Sequence, residues 1–446
     1  MHIMTDTIAP SQTNKAETPS RWLARRSDGR LHAEDVSLDR IADAIGTPFY
    51  CYSAGALRQN YAMLKAAIAA SDVSICFAVK ASSNINVLAE LARLGAGMDI
   101  VSGGEMARAL AAGTPPERII FSGVGKTRAE IRAALEAGLH QLNVESPAEL
   151  EIVAEVARET GIRAPVALRV NPDVDARTHA KITTAKKDSK FGIAIGEVPA
   201  IYAEASMRPE LNMVGLAVHI GSQILDLSPF RDAWAALADL VRQLRAAGLS
   251  VERLDLGGGL GIGDDAHAGP DLVEYASIIA ETVGDLGCAL NVEPGRWLAG
   301  RTGILVSEVL YLKESAGVPI AVIDAAMNDL MRPALYGATH PVLTVEAPRA
   351  VERDDVCRIV GPICESSDDF GKYQGLGTIV AGDLVVFDNA GAYGAAMSST
   401  YNSRDLVAEV LVDGGQFRVI RRRTNIAEAL ELEQAGSWLA GENPSR

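Results

Sequence analysis

Between about residue 70 and residue 296 the chain alternates short apolar or β-branched runs with longer Ala/Leu/Glu-rich amphipathic stretches. This alternation predicts repeated strand–helix units. The apolar runs are SICFAVK ending at Lys80, GMDIVS at Ser102, RIIFSG at Gly123, QLNVES at Ser146, PVALRVN at Asn171, VGLAVHIGS at Ser222, RLDLGGG at Gly259 and ALNVEPGR at Arg296. The stretches between them, such as NINVLAELARLG, TRAEIRAALEAG and SPAELEIVAEVARETG, open on capping residues and close on Gly, as helix boundaries should. Eight such units in one run favour a closed (β/α)8 barrel over an open doubly wound sheet. After about residue 300 the pattern becomes strand-like segments separated by Gly and Asp turns (GILVSEVLYLK, PIAVID, CRIVG, DLVVFDNA, LVAEVLVDG), which predicts a separate β-rich domain.

The expected division is a disordered polar leader at 1–20, an N-terminal segment at 21–46 able to join either body, the barrel at 47–300 and the β-rich domain at 301–446. An irregular insertion, PDVDARTHAKITTAKKDSKFGIAIG, interrupts the barrel between its fifth and sixth runs.

Composition narrows the function. The 446 residues carry a net charge of −15, which argues against nucleic-acid or anionic-membrane partners because both need basic surface. No apolar stretch is long enough for a transmembrane helix, and the leader lacks the apolar core of a secretory signal, so the sequence reads as cytoplasmic. The five cysteines are scattered with no CxxC pair, which fits neither a disulfide framework nor a zinc site. No metal is expected.

Catalytic groups of a (β/α)8 barrel sit at the carboxyl ends of its strands, and phosphates are often held after strands seven and eight. Lys80, Ser102, Glu145, His219, the Gly257–Gly259 turn and Glu293 fall at those places. Apolar Ile75–Val79 before Lys80 should destabilise its ammonium and lower its pKa, yielding an amine suited to a Schiff base; a strand-end Lys reaching solvent is the alternative. The GGGLG turn offers backbone N–H groups to a phosphate, although such turns are common without one. A lysine, a planar imidazole, a phosphate turn and the Glu293 carboxylate together form the set that pyridoxal phosphate needs, since a carboxylate keeps the ring nitrogen protonated.

The motifs FAVKASSN, DIVSGGE, SKFGI, HIGSQI, GGGLGI, EPGR, MNDLMRPALYG, GPICESSD and NAGAYG occur in the order found in diaminopimelate decarboxylases, and the resemblance spans about residues 48–405. Membership of this fold-type III family implies a pyridoxal 5′-phosphate enzyme, a barrel followed by a β-domain, working as a homodimer with sites at the subunit interface. It implies conversion of meso-2,6-diaminopimelate to L-lysine and CO2, the last step of lysine biosynthesis. Carried over by motif, Lys80 would be the Schiff-base lysine, His219 would stack on the ring, and Glu293 would pair with the ring nitrogen. Ser222, Gly258, Gly295 and the Arg296 backbone would hold the phosphate. Arg296, Arg332, Tyr336, Glu365 and Tyr393 would meet the substrate, Tyr393 also touching the cofactor. Cys364 would donate the proton, reaching across with Glu365 from the partner subunit.

Ornithine and arginine decarboxylases share the cofactor motifs but typically carry Asp after the donor Cys and lack the arginine of MNDLMRPALY, so Arg332 and Glu365 discriminate. Alanine-racemase-like enzymes would need a second catalytic tyrosine in another context, and non-catalytic relatives amount to little more than the barrel. Two departures from the family pattern, Ala326 in place of a common Gly and the run GIGDDAHAGPD, concern loop shape only.

Overall fold

The computed structural model describes residues 22–175, 190–263, 269–350 and 356–433. The leader, most of the insertion after Asn171, and 264–268 of the divergent run after the glycine turn lie outside the described residues.

The eight apolar runs form eight parallel strands: Val73–Ala78, Gly97–Ile100, Ile119–Phe121, Gln141–Val144, Ala164–Asn171, Leu211–Val218, Arg253–Asp255 and Ala289–Val292. Each hydrogen-bonds to the next, and the eighth pairs with the first through Leu290 opposite Val73, so the sheet closes into the barrel that the sequence predicts. A two-residue strand, Ile193–Ala194, pairs in parallel with the last residues, Val170 and Asn171, of the fifth. The intervening helices form because their ends are chemically marked. Asn84, Ser102, Thr127 and Ser146 each accept a backbone N–H at a helix start, and Gly138 and Gly161 end two helices in the left-handed conformation. Apolar faces of these helices pack on the strands in one continuous core that includes Phe77, Met98, Phe121, Leu168, Leu216, Trp234, Tyr275 and Val292.

The chain reaches the barrel by way of a second sheet. Phe49–Ser53, at the head of the 47–300 span, runs antiparallel to Gly303–Val306 and parallel to Ala408–Val412, so it lies in the β-rich sheet and not in the barrel. The long strand Gly303–Ser315 organises this sheet by pairing also with Leu384–Phe387 and with Val318–Ile323. Val318–Ile323 continues it to Val356–Val360 and Asp369–Gln374. The preceding segment forms a small three-stranded sheet, Leu23–Arg25, Leu31–Ala33 and Val36–Ser37, followed by the helix Leu38–Ile45. Its Leu23, Leu31 and Ile41 share a core with Phe49, Val306, Val386 and Val410, so residues 22–45 pack on the β-rich sheet.

Candidate active site

All eight strand ends meet over a cavity of about 180 Å³ lined by Lys80, Asn143, Arg169, His219, Asp255 and Glu293, among others. Lys80 lies in the single turn Val79–Ala81 that follows the first strand, and its Nζ donates to Asp99 Oδ2 at 3.1 Å. Desolvation pulls its pKa down, but Asp99, Tyr393 and Glu293 act the other way and prevail, so the amine is held above its ordinary value. This corrects the expectation of a lowered pKa. The residues preceding Lys80 in sequence are apolar, whereas the charges facing it come from the second and eighth strands.

His219 follows the sixth strand, and its Nδ1 accepts the Gly258 N–H at 3.0 Å, which leaves the ring proton of the neutral imidazole on Nε2. Burial, with Lys80 and Arg169 nearby, pushes its pKa well below 6.5, so the ring is an uncharged plate at neutral pH. Gly258 allows this approach. A Cβ there would stand 2.1 Å from the Glu293 carbonyl oxygen, and the flanking Gly257 and Gly259 both hold positive φ.

Glu293 is buried, and its Oε1 accepts no hydrogen bond among the described residues. Burial and the facing Asp255 raise its pKa well above the carboxylate range, and burial raises that of Asp255 as well. The two acids therefore hold a proton between them. Asp255 is fixed by Asn143 Nδ2 at 2.7 Å and by the Gly257 N–H at 3.0 Å. Neither Asp99 nor Asp255 stood out in the sequence reading; an Asp inside the apolar run LDL was the available signal for the second.

Gly295 and Arg296 begin the four-residue helix Arg296–Ala299 after the eighth strand. A Cβ on Gly295 would meet Ala81 Cβ at 2.9 Å and the Tyr393 hydroxyl at 3.3 Å, so glycine lets the eighth strand end sit against the Lys80 turn. Arg296 is buried, donates to Ser222 Oγ at 3.2 Å and lies 4.7 Å over the Tyr393 ring. Tyr393 itself is held at φ 58°, a costly conformation for a bulky residue, and its N–H donates to the Ala81 carbonyl at 2.7 Å.

Arg332 starts the short helix Arg332–Tyr336 and donates through Nη1 to His340 Nε2 at 3.0 Å. Burial and the nearby Arg296 lower its pKa to about 10; Tyr393 and Tyr336 oppose that shift. Among the described residues neither Arg296 nor Arg332 has a carboxylate partner. A buried and a half-buried guanidinium without a carboxylate counter-ion among the described residues form a receptor for an anionic group.

Of the expected residues only Lys80, His219 and Glu293 line the cavity itself; Ser222, Arg296 and Tyr393 are linked to one another beside it, whereas Cys364 and Glu365 stand apart from both. Cys364 and Glu365 lie in the exposed loop after Val356–Val360, and Glu365 accepts a hydrogen bond from Tyr401. Asp368 anchors the loop by accepting from Met327 N at 2.7 Å and Ile363 N at 2.6 Å. Ser102 and Glu145 also prove to have structural partners: Ser102 caps the helix Gly103–Ala111, and Glu145 takes Arg169 Nη1 at 2.5 Å and the Gly192 N–H at 2.9 Å.

The pyridoxal binding domain of the pyridoxal-dependent decarboxylases matches residues 54–300. A diaminopimelate decarboxylase from Pseudomonas aeruginosa is 48% identical over 90% of this chain and 96% of its own length. One from Zymomonas mobilis is 44% identical over 92% and 98%. This chain belongs to the diaminopimelate decarboxylase family. Among solved structures, the diaminopimelate decarboxylase of M. jannaschii in complex with L-lysine superposes with a TM-score of 0.87 at 33% identity, covering 93% of this chain and 98% of that one. The Helicobacter pylori diaminopimelate decarboxylase, also with L-lysine, gives 0.84 at 37%, covering 89% and 99%. A lysine/ornithine decarboxylase from Vibrio vulnificus at 22% identity shares the fold. The diaminopimelate decarboxylase barrel thus carries its amine, imidazole and paired acids on the strand ends of one cavity, and no helix among the described residues is long and apolar enough to cross a membrane.

Proposed function

We propose that the chain decarboxylates meso-2,6-diaminopimelate to L-lysine and CO2 with pyridoxal 5′-phosphate, acting in the cytoplasm as a homodimer. The observation that carries the substrate choice is the pair Arg296, buried, and Arg332, half-buried, close enough for one charge to depress the other's pKa and without a carboxylate partner among the described residues. A substrate with a second amino-acid end brings a carboxylate that such a pair binds, whereas ornithine offers only an amine there.

The residues present fit the cofactor. Gly295 at the start of the helix Arg296–Ala299, and Ser222, whose hydroxyl accepts from Arg296, are the groups that would meet a phosphate, with the close-packed Gly257–Gly259 turn beside them. Glu293 holds a proton in a dry site at a carboxyl whose Oε1 lacks a donor, as a ring nitrogen requires. Bound there, the cofactor would supply an electron sink for the pair left when CO2 departs. Lys80 supplies the amine that anchors its aldehyde, and Asp99 orients that amine. Neutral His219 presents a flat face for the ring. Tyr336 and Tyr393 flank the arginines, and Tyr393 joins them to the Lys80 turn through the Ala81 carbonyl.

Cys364 and Glu365 sit on an exposed loop, as a thiol proton donor and an ammonium-binding acid would if they served the partner's cavity. On this reading the unit after about residue 300 completes the substrate site and the dimer interface. CO2 release from diaminopimelate, ornithine and arginine, measured side by side, tests the assignment. Diaminopimelate should be turned over fastest, and faster turnover of ornithine would overturn it.

A further inference from the structure

Arg332 can serve a carboxylate only if its guanidinium is held in place with its charge intact, and the residue that holds it is His340. This histidine is 2% exposed, just before the strand Val342–Thr344. Its Nδ1 lies 2.9 Å from the Asp388 carbonyl oxygen, which can only accept, so Nδ1 carries the ring proton. Nε2 is then a lone-pair acceptor, and it takes Arg332 Nη1 at 3.0 Å. Burial and the adjacent Arg332 push the His340 pKa down to about 3, so the ring stays neutral through the working range. The backbone doubles the attachment, since the Asp388 N–H donates to the Pro341 carbonyl at 2.9 Å. Asp388 leads into the turn that bears Tyr393, whose N–H reaches the Ala81 carbonyl beside Lys80. One frame therefore links Arg332 to the Lys80 turn.

We propose that His340 is a positioning residue that sets specificity for a distal carboxylate, by aiming Arg332 through a neutral acceptor. An Asp or Glu in its place would fix the same guanidinium but cancel the charge that attracts the substrate. The neutral ring fixes it without cancelling it. Among the described residues Arg332 Nε has no hydrogen-bond partner, so the His340 contact is what orients the fork.

The inference rests on the function proposed above, and its test reads carboxylate recognition without turnover. Binding of L-lysine and of 1,5-diaminopentane, which lacks the carboxylate, is measured by calorimetry on the holoenzyme. His340→Asn keeps a donor near Asp388 but is too short to reach Arg332. It should weaken L-lysine about tenfold, the cost of one charge-assisted hydrogen bond, and leave the diamine unchanged. His340→Gln restores an acceptor at the Nε2 position and should bind L-lysine within about threefold of the unsubstituted enzyme. In turnover, the KM for diaminopimelate should rise in His340→Asn with kcat nearly constant. Equal weakening of both ligands, or L-lysine binding unaffected by His340→Asn, would overturn the inference. Failure of the unsubstituted enzyme to release CO2 from diaminopimelate would instead overturn the proposed function.

Discussion

Lys80 illustrates what a sequence conveys about a side chain and what it withholds. Its position at a strand end is legible because strand ends follow from local apolar periodicity. The sign of its pKa shift is not, because Asp99 and Glu293 arrive from strands distant in sequence. Asp99→Asn removes the nearest carboxylate and should lower that pKa, moving the pH at which an amine-reactive reagent modifies Lys80 in the cofactor-free protein to lower values. Lys80→Ala should abolish the visible absorbance of the lysine-bound cofactor together with catalysis, and retention of both would refute the role given to Lys80. His340 left no mark in the sequence, since a lone His in a loop carries no periodicity and its two partners are fixed only by tertiary packing. Its depressed pKa has a consequence for stability. The folded ring resists protonation that the unfolded one accepts below about 6.5, so its contribution is present above that pH and is lost as pH falls toward about 3. The unfolding free energy of His340→Gln should consequently fall less steeply over that window, by a few kcal/mol in total at about 1.4 kcal/mol per pKa unit, as denaturant titrations at stepped pH would reveal.

Among elements, the two turns that carry the site are constrained in different ways. The turn after the seventh strand depends on the absence of side chains. Gly258→Ala would drive a Cβ to 2.1 Å from the backbone of the eighth strand and separate Gly258 from His219, so cofactor affinity in a titration should fall more than about tenfold. The turn before Arg332 is anchored from outside by Tyr50, whose buried hydroxyl donates to the Asp329 carbonyl at 2.6 Å. Tyr50→Phe should cost about 1–2 kcal/mol in thermal or denaturant unfolding by leaving that carbonyl without its donor. The glycine turn was readable because GGG after a strand is a local signal. The Tyr50 contact was not, because it joins residues 279 positions apart.

For the whole molecule, the barrel could be read in full and the β-rich sheet only in kind. Each barrel strand pairs with the next in sequence, so counting apolar runs recovers the topology. The second sheet takes an interior strand, Phe49–Ser53, from ahead of the barrel, and no periodicity records that pairing. The exposed position of Cys364 carries the expectation for the assembly. If each cavity takes Lys80 from one subunit and Cys364 from the other, then mixing inactive Lys80→Ala and Cys364→Ala subunits should restore up to about a quarter of normal activity, because half of the dimers are mixed and each holds one intact site. Subunit exchange with no recovery of CO2 release would count against shared sites.

The placement of Phe49–Ser53 also imposes an order on synthesis. A ribosome delivers this strand early, then the whole barrel, and only near the end the Ala408–Val412 strand that lies along one of its edges. During that interval the barrel can close while a five-residue strand of Phe, Tyr, Cys, Tyr and Ser waits with an open edge. Its Phe49, Tyr50, Cys51 and Tyr52 are buried in the finished protein, so a nascent chain stalled before residue 408 would present an adhesive apolar edge beside an otherwise complete barrel. Such a chain is a natural client for holding chaperones until the Ala408–Val412 strand emerges.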